Sequence, residues 1–202
     1  MSEHAVADPS DPLTRVPWPV RTERLLLRRA ERADVTATYA IRRRPEVHEW
    51  LSSAALGPGE YAAMFTRPQR LATSLVVERR ERPGVVVGDL MLAVEDAWAQ
   101  TEVADRAAGT QARLGWVLDP AYGGQGLATE AVGALLGVCF DALGLRRVVA
   151  DCFADNTPSW RLMERVGMRR EAHTVGDSLH RSRGWLDGLT YALLAEEWRD
   201  RS

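Results

Sequence analysis

Two stretches of this chain combine residue types that can do chemistry. The first, DPAYGGQGLATEA from Asp119 to Ala131, sets Gly123, Gly124 and Gly126 just ahead of a run with helical character. Glycines at such a place remove the Cβ atoms that would hold an anion off the backbone. The unpaired N–H groups and positive dipole end of the helix then draw the anion in. A pyrophosphate diester is the ligand such a turn fits, although a tight turn alone would use the same glycines. The chain has no GxxxxGK[ST] and no lysine at all, which excludes a Walker-type loop and any lysine nucleophile or Schiff base. Thr129 stands where a full GxGxxG fingerprint needs its third glycine.

The second stretch, DNTPSWRLMERVGM, runs from Asp155 to Met168. Pro158 suits a first helical position and Thr157 the cap before it. That spares the Asn156 amide for a ligand lying between this strand end and the one that feeds the glycine turn. An ordinary turn residue is the other reading of Asn156.

These residues need a frame. Residues 24–29 (RLLLRR) predict a strand, followed by a helix capped by Asp34 and stopped at Pro45, and a short helix over 60–67. Residues 75–79 and 85–94 predict an antiparallel hairpin turned by the Pro-Gly of RERPG. The polar Glu95 to Gln111 stretch has no clear period and is longer than most hairpin loops, so it suits a wall of an acceptor pocket or a homodimer contact. Strands over 112–118, 146–152 and 189–194 alternate with helices over 128–143 and 158–166, each ended by a glycine. The fold class is therefore α/β with a mixed sheet. Residues 1–20, rich in proline and small polar side chains, predict a flexible tail, leaving a single domain over 21–202.

With 202 residues, 46% hydrophobic and 27% charged, the chain has the balance of a soluble globular protein. A net charge of −2 gives no global field for a nucleic-acid backbone, and no apolar stretch is long enough for a membrane span. No leader-like N-terminus is present, and a cytoplasmic location is expected. Cys139 and Cys152 belong to no CxxC or Cys/His cluster, so they predict buried reduced thiols, with no disulfide and no metal site.

The paired segments LGWVLDPAYGGQGLATEA and ADNTPSWRLMERVGM resemble the coenzyme A binding core of the GNAT acetyltransferase superfamily. TERLLLRR, PEVHEWL and GWLDGLTYALLAEEW look like its RimJ/RimL-type branch, which includes protein Nα-acetyltransferases, and the resemblance covers about Thr22 to Trp198. It implies a central, mostly antiparallel sheet splayed at an acyl-CoA cleft and flanked by helices. It also implies an N-acetyltransferase that passes the acetyl group of acetyl-CoA directly to a primary amine, such as a protein N-terminus, with no metal. A small-molecule amine acetyltransferase, antibiotic-modifying types included, and a catalytically weak acyl-CoA sensor are the alternatives.

By the same resemblance, Val117 and Leu118 offer backbone groups to the pantetheine arm. Gly124, Gln125, Gly126, Leu127, Ala128 and Thr129 give N–H groups to the pyrophosphate, and Asn156 binds near the pantetheine. Gly123 departs from the family, whose loop usually carries a larger side chain there, and this predicts looser cofactor binding. Ser159 matches a serine proposed to protonate the departing thiolate, and reads equally as a polar residue of a first helical turn. Met163 replaces the tyrosine that many relatives use as acid. His180 is the candidate base, since its ordinary pKa suits the task, with a surface position as its bland reading. Asp187 is expected to order its loop. Arg42, Arg43 and Arg44 read as a solvated helix end, and Trp160 and Trp185 as core packing or pocket lining.

Overall fold

The computed structural model describes residues 11–53 and 56–201. Its eight strands are β1 (Val20–Arg21), β2 (Leu25–Arg29), β3 (Ser74–Arg79), β4 (Arg82–Glu95), β5 (Gln111–Leu118), β6 (Arg147–Phe153), β7 (Arg169–His180) and β8 (Gly184–Leu194). They form one sheet in the order β1-β2-β3-β4-β5-β6-β8-β7. Every neighbouring pair is antiparallel except β5 with β6. This is the mixed, mostly antiparallel sheet that the sequence predicts.

Four helices separate β2 from β3: α1 (Val35–Arg42), α2 (Pro45–His48), α3 (Pro58–Phe65) and α4 (Pro68–Thr73). Pro45, Pro58 and Pro68 each open a helix, where a missing N–H costs nothing and the fixed φ is already helical. Pro45 thus both stops α1 and starts α2. After β5 comes α5 (Leu127–Gly137), which runs into a π-helical turn over Val138–Ala142; α6 (Thr157–Arg165) follows β6, and α7 (Ala195–Arg199) follows β8.

β3 shows why both sheet faces are covered. Leu75 and Val77 enter the large core with Leu127, Leu135 and Met163 of α5 and α6, whereas Val76 between them packs with Tyr61 and Phe65 of α3. Successive side chains of a strand point to opposite faces, so an unbroken apolar run such as LVV needs a layer on each.

Three expectations need correction. Residues 11–20 are no tail: Leu13 is 1% and Val16 5% exposed, and Asp11 pairs with Arg29 at 2.7 Å. Apolar side chains spaced among prolines found a pocket in the main core, so the domain includes this segment; residues 1–10 lie outside the described residues. The last strand starts five residues earlier than expected, at Gly184, and pairs with a strand, β7, that the sequence hides. The stretch from Asp96 to Thr110 folds on itself through Ala97 N–H to Ala107 O (2.9 Å) and Gly109 N–H to Asp96 Oδ1 (2.8 Å). None of its residues lines the cavity described below. Among the described residues no helix is long and apolar enough to cross a membrane.

Candidate active site

β5 and β6 are joined by only three Cα pairs, Gln111 with Arg147, Ala112 with Val148 and Arg113 with Val149. Beyond Arg113 the two strands diverge, although β5 stays paired with β4 as far as Leu118 and β6 with β8 as far as Phe153. The sheet therefore opens into a gap whose walls are strand backbone. Asp119 N–H bonds to Val87 O (2.8 Å), and the regular β4–β5 register fixes the alternation from there. Gly115 and Val117 turn their N–H and C=O toward β4, while Trp116 and Leu118 turn theirs into the gap. The expected use of Val117 needs correction, because its backbone is consumed by its pairing with Asp89; the backbone groups left free toward the gap are those of Trp116 and Leu118.

A cavity of about 760 Å³ follows the gap. Trp116, Cys152, Asn156 and Ser159 line it, together with Trp50, Arg42, Arg70, Asp151, Asp177 and His180.

At the mouth of the gap lies the glycine turn. Gly124 and Gly126 have φ of +71° and +75°, a left-handed conformation that side chains other than glycine adopt at a cost. Glu130 N–H closes the first helical bond onto Gly126 O at 3.1 Å. Among the described residues the N–H groups of Gly124, Gln125, Gly126, Leu127, Ala128 and Thr129 donate to nothing. A Cβ built on Gly124 meets no atom of the protein within 4 Å, so the space over those amides is open. Six free donors at the start of α5 fit a pyrophosphate. Gly123 has an ordinary φ, and a Cβ there would lie 3.0 Å from Pro120 O, so this turn is built around the glycine.

The turn is fastened from outside by residues the sequence reading missed. Glu130, in the first turn of α5, accepts from Thr22 Oγ1 (2.5 Å), Arg24 N–H (2.8 Å) and Arg24 Nε (2.6 Å), while Arg24 Nη1 donates to Gln125 O (2.8 Å). Burial by itself would raise the Glu130 carboxyl, but Thr22 and Arg24 together outweigh it and hold the carboxyl below its ordinary 4.5. A carboxyl depressed on folding stabilises the native state fully above its unfolded pKa, and this contribution is lost as pH falls through the lower native value. Glu130→Gln is expected to lower the melting temperature at neutral pH. It should also flatten the loss of stability on acidification below about pH 4.5, as read from melting curves across that range.

α6 starts one residue earlier than predicted: Thr157 is its first residue, Pro158 its second and Asn156 its N-cap, yet the Asn156 side chain makes no capping bond. Its amide remains available to the cavity, as expected, through a different cap assignment. Ser159 stands in the first turn and lines the cavity together with the Cys152 thiol. Burial pushes that thiol up to about 11, with the Ser159 hydrogen bond pulling the other way. Cys139 is buried and its thiol is pushed up further by the same cause. Met163 is fully buried in the main core and faces no substrate.

His180 is neither a surface residue nor a free base. It is 4% exposed and wedged between Trp50, tilted against it with ring centroids 5.7 Å apart, and Phe153, edge-on to it at 5.3 Å. Nε2 bonds to Glu49 O at 2.9 Å, and Nδ1 accepts from Ser182 N–H at 3.3 Å. With both nitrogens engaged, the ring fastens the β7–β8 hairpin to the segment after α2. Two carboxylates reach the cavity, Asp151, which is taken up by Arg113 and the Thr190 hydroxyl, and Asp177. The Thr174 and Ser178 hydroxyls hold the Asp177 carboxyl below its ordinary 3.8. A Cβ on Gly188 would lie within 3.0 Å of all three of these side chains, so that glycine makes room for the cluster. Asp187 accepts from Gly176 N–H (2.9 Å) and meets His173 Nε2 (2.7 Å), which orders the irregular segment of β7.

The arginine run departs from its reading as well: Arg42 is buried against Asp89, and Arg44 reaches Asp119 at 3.2 Å. Neither Trp160 nor Trp185 lines the cavity. Trp160 packs on the core and donates to Ala154 O (3.1 Å), and Trp185 is 65% exposed. Trp50 and Trp116 are the tryptophans of the site.

The sequence model of the acetyltransferase (GNAT) domain matches residues 24–169. Among curated proteins, the uncharacterized N-acetyltransferase YnaD of Bacillus subtilis is 40% identical over 85 residues, which is 42% of this chain and 49% of YnaD. The match thus spans about half the length of that relative. An acetyltransferase (GNAT family) from Bacillus anthracis has a similar structure, with a TM-score of 0.74 and 28% identity over 89% of this chain and 99% of that one. Mycobacterium smegmatis RimJ, solved in complex with CoA-disulfide, shares the fold with a TM-score of 0.68 and 24% identity over 89% of this chain and 90% of its own.

Proposed function

Because the chain belongs to the GNAT acetyltransferase domain family, we propose that it transfers the acetyl group of acetyl-CoA to a primary amine by direct attack within a ternary complex. The observation that carries this reading is the parting of β5 from β6 after three pairs, with six free amides at its mouth. Bound acetyl-CoA supplies a thioester carbonyl open to attack and a thiolate leaving group.

The residues of this chain do the rest. Gly124 to Thr129 hold the pyrophosphate through backbone N–H groups. Trp116 and Leu118 pair with the pantetheine as a neighbouring strand would, and one of their N–H groups stabilises the acetyl oxygen. The Asn156 amide fixes the arm where α6 begins. Asp177 holds the ammonium form of the acceptor in place; a carboxyl depressed below its ordinary pKa is a weak base, so the amine gives its proton to water. As the amine nitrogen bonds to the acetyl carbon and the C–S bond breaks, Ser159 donates its hydroxyl proton to the sulfur, and the second proton shed by the nitrogen as it becomes an amide returns through water to the serine. Cys152, protonated at neutral pH, is poorly suited to carry the acetyl group covalently.

The RimJ/RimL-type segments favour a protein N-terminus as acceptor, and a small-molecule amine is the other acceptor class. Titration with CoA and acetyl-CoA should stabilise the protein by about 2.7 kcal/mol at a hundred times Kd; no thermal shift with either would sink the proposal. Release of free thiol with an amine panel then separates an enzyme from an acyl-CoA sensor, which would bind without turnover.

A further inference from the structure

The cavity is lined by charges of both signs, Arg42, Arg70 and Arg181 against Asp151 and Asp177. Arg42 of α1 grips Asp89 of β4, with Nε to Oδ2 at 2.9 Å and Nη2 on Oδ1, so both carboxylate oxygens are taken. Arg70 of α4 lines the same cavity and forms no ion pair among the described residues; its Nε is buried without a hydrogen-bond partner. Burial, and then the like charge of Arg42, lower its pKa. A guanidinium held partly dehydrated, with its fork unfilled, gains from an anion that can accept two parallel hydrogen bonds. The same cavity presents two carboxylates: Asp151, which is paired with Arg113 and accepts from the Thr190 hydroxyl, and Asp177, which forms no ion pair among the described residues and stands beside the Thr174 and Ser178 hydroxyls.

We propose that Arg70 receives the carboxylate of the acceptor, and that the acceptor is a small zwitterionic amine, a free amino acid or close analogue, whose ammonium faces Asp177. This rests on the acetyltransferase reading above and narrows its substrate class. Arg70 is then a specificity-determining residue rather than a catalytic one. Its guanidinium forms no ion pair among the described residues, so replacing it breaks none of the ion pairs that hold the frame.

The test compares leucine, phenylalanine and glutamate with their α-amides as acceptors for acetyl-CoA. In the wild type the acids should exceed the amides by about tenfold or more in kcat/KM, the size expected of a charge-assisted contact. Arg70→Gln should bring acid and amide to similar values by slowing only the acids, Arg70→Lys should keep part of the preference, and stabilisation by acetyl-CoA should be unchanged in both. Amides as fast as acids in the wild type, equal losses for both in the variant, or neutral peptides faster than every amino acid would overturn the assignment. A wild-type preference for succinyl-CoA over acetyl-CoA that Arg70→Gln removes would move the anion to the acyl chain and overturn it too. If no amine is acetylated, the transfer reading fails by itself, and calorimetry still decides on Arg70. Leucine binding to the CoA-loaded wild type but not to Arg70→Gln, with leucinamide binding neither, supports the site, and no leucine binding to the wild type refutes it.

Discussion

Replacing Ser159 by alanine is expected to lower kcat by about a hundredfold or more while leaving the affinity for acetyl-CoA unchanged, the range typical of a lost general acid. Ser159 touches the leaving group alone in the proposed reaction, so its removal leaves the pyrophosphate cradle and Trp116 and Leu118 untouched. Its side chain lines the cavity from the first turn of α6, close to the Cys152 thiol. Asn156→Ala is the contrasting variant, and should raise Kd for CoA more than it lowers kcat. A thioester whose thiol is more acidic than that of CoA needs less help in leaving, so it should restore much of the Ser159→Ala rate. An unchanged kcat in Ser159→Ala, with single-turnover measurements placing chemistry as the slow step, would leave the serine a polar helix residue.

Asp89→Ala should destabilise the protein by about 3–5 kcal/mol, the cost of leaving a buried ion uncompensated. The Asp89 side chain is 3% and that of Arg42 13% exposed. The loss falls at the upper end because Asp89 faces two cations, and without it Arg42 and Arg70 repel one another across a partly dry space. Urea unfolding should show a lower midpoint with an unchanged slope. Arg42→Met combined with Asp89→Leu should recover much of that stability, since apolar packing can replace a buried pair. Adding Arg70→Met should recover more. A midpoint for Asp89→Ala within the range of ordinary surface substitutions, about 0.5 kcal/mol, would show that the pair is solvated.

The glycine turn and the Asn156–Ser159 segment were legible in the sequence because each depends on neighbours within a few residues, whereas the short helices opened by Pro45 and Pro68 were not, each being too short to show a period. Gly124 and Gly126 take a left-handed φ, and only glycine does so at little cost. β7 was not legible: its residues are exposed along most of their length, so no hydrophobic alternation marks a strand whose order comes from pairing with β8. His180 had the right residue type for a base, yet its environment, the Glu49 carbonyl and the rings of Trp50 and Phe153, is assembled from distant parts of the chain.

The sequence by itself determined the sheet class, the glycine turn and the identity of the side chains that start α6. Tertiary structure alone decided which charges meet. Glu130 is held by Thr22 and Arg24 more than 100 positions earlier, and Arg42 reaches Asp89 across 47 positions. It also decided that Trp116 rather than Val117 turns its backbone into the gap, because strand register sets that alternation. Turn conformations follow from the sterics of adjacent residues, whereas ion pairs and register depend on which elements pack together, and in that packing Arg70 ends beside a carboxylate already taken.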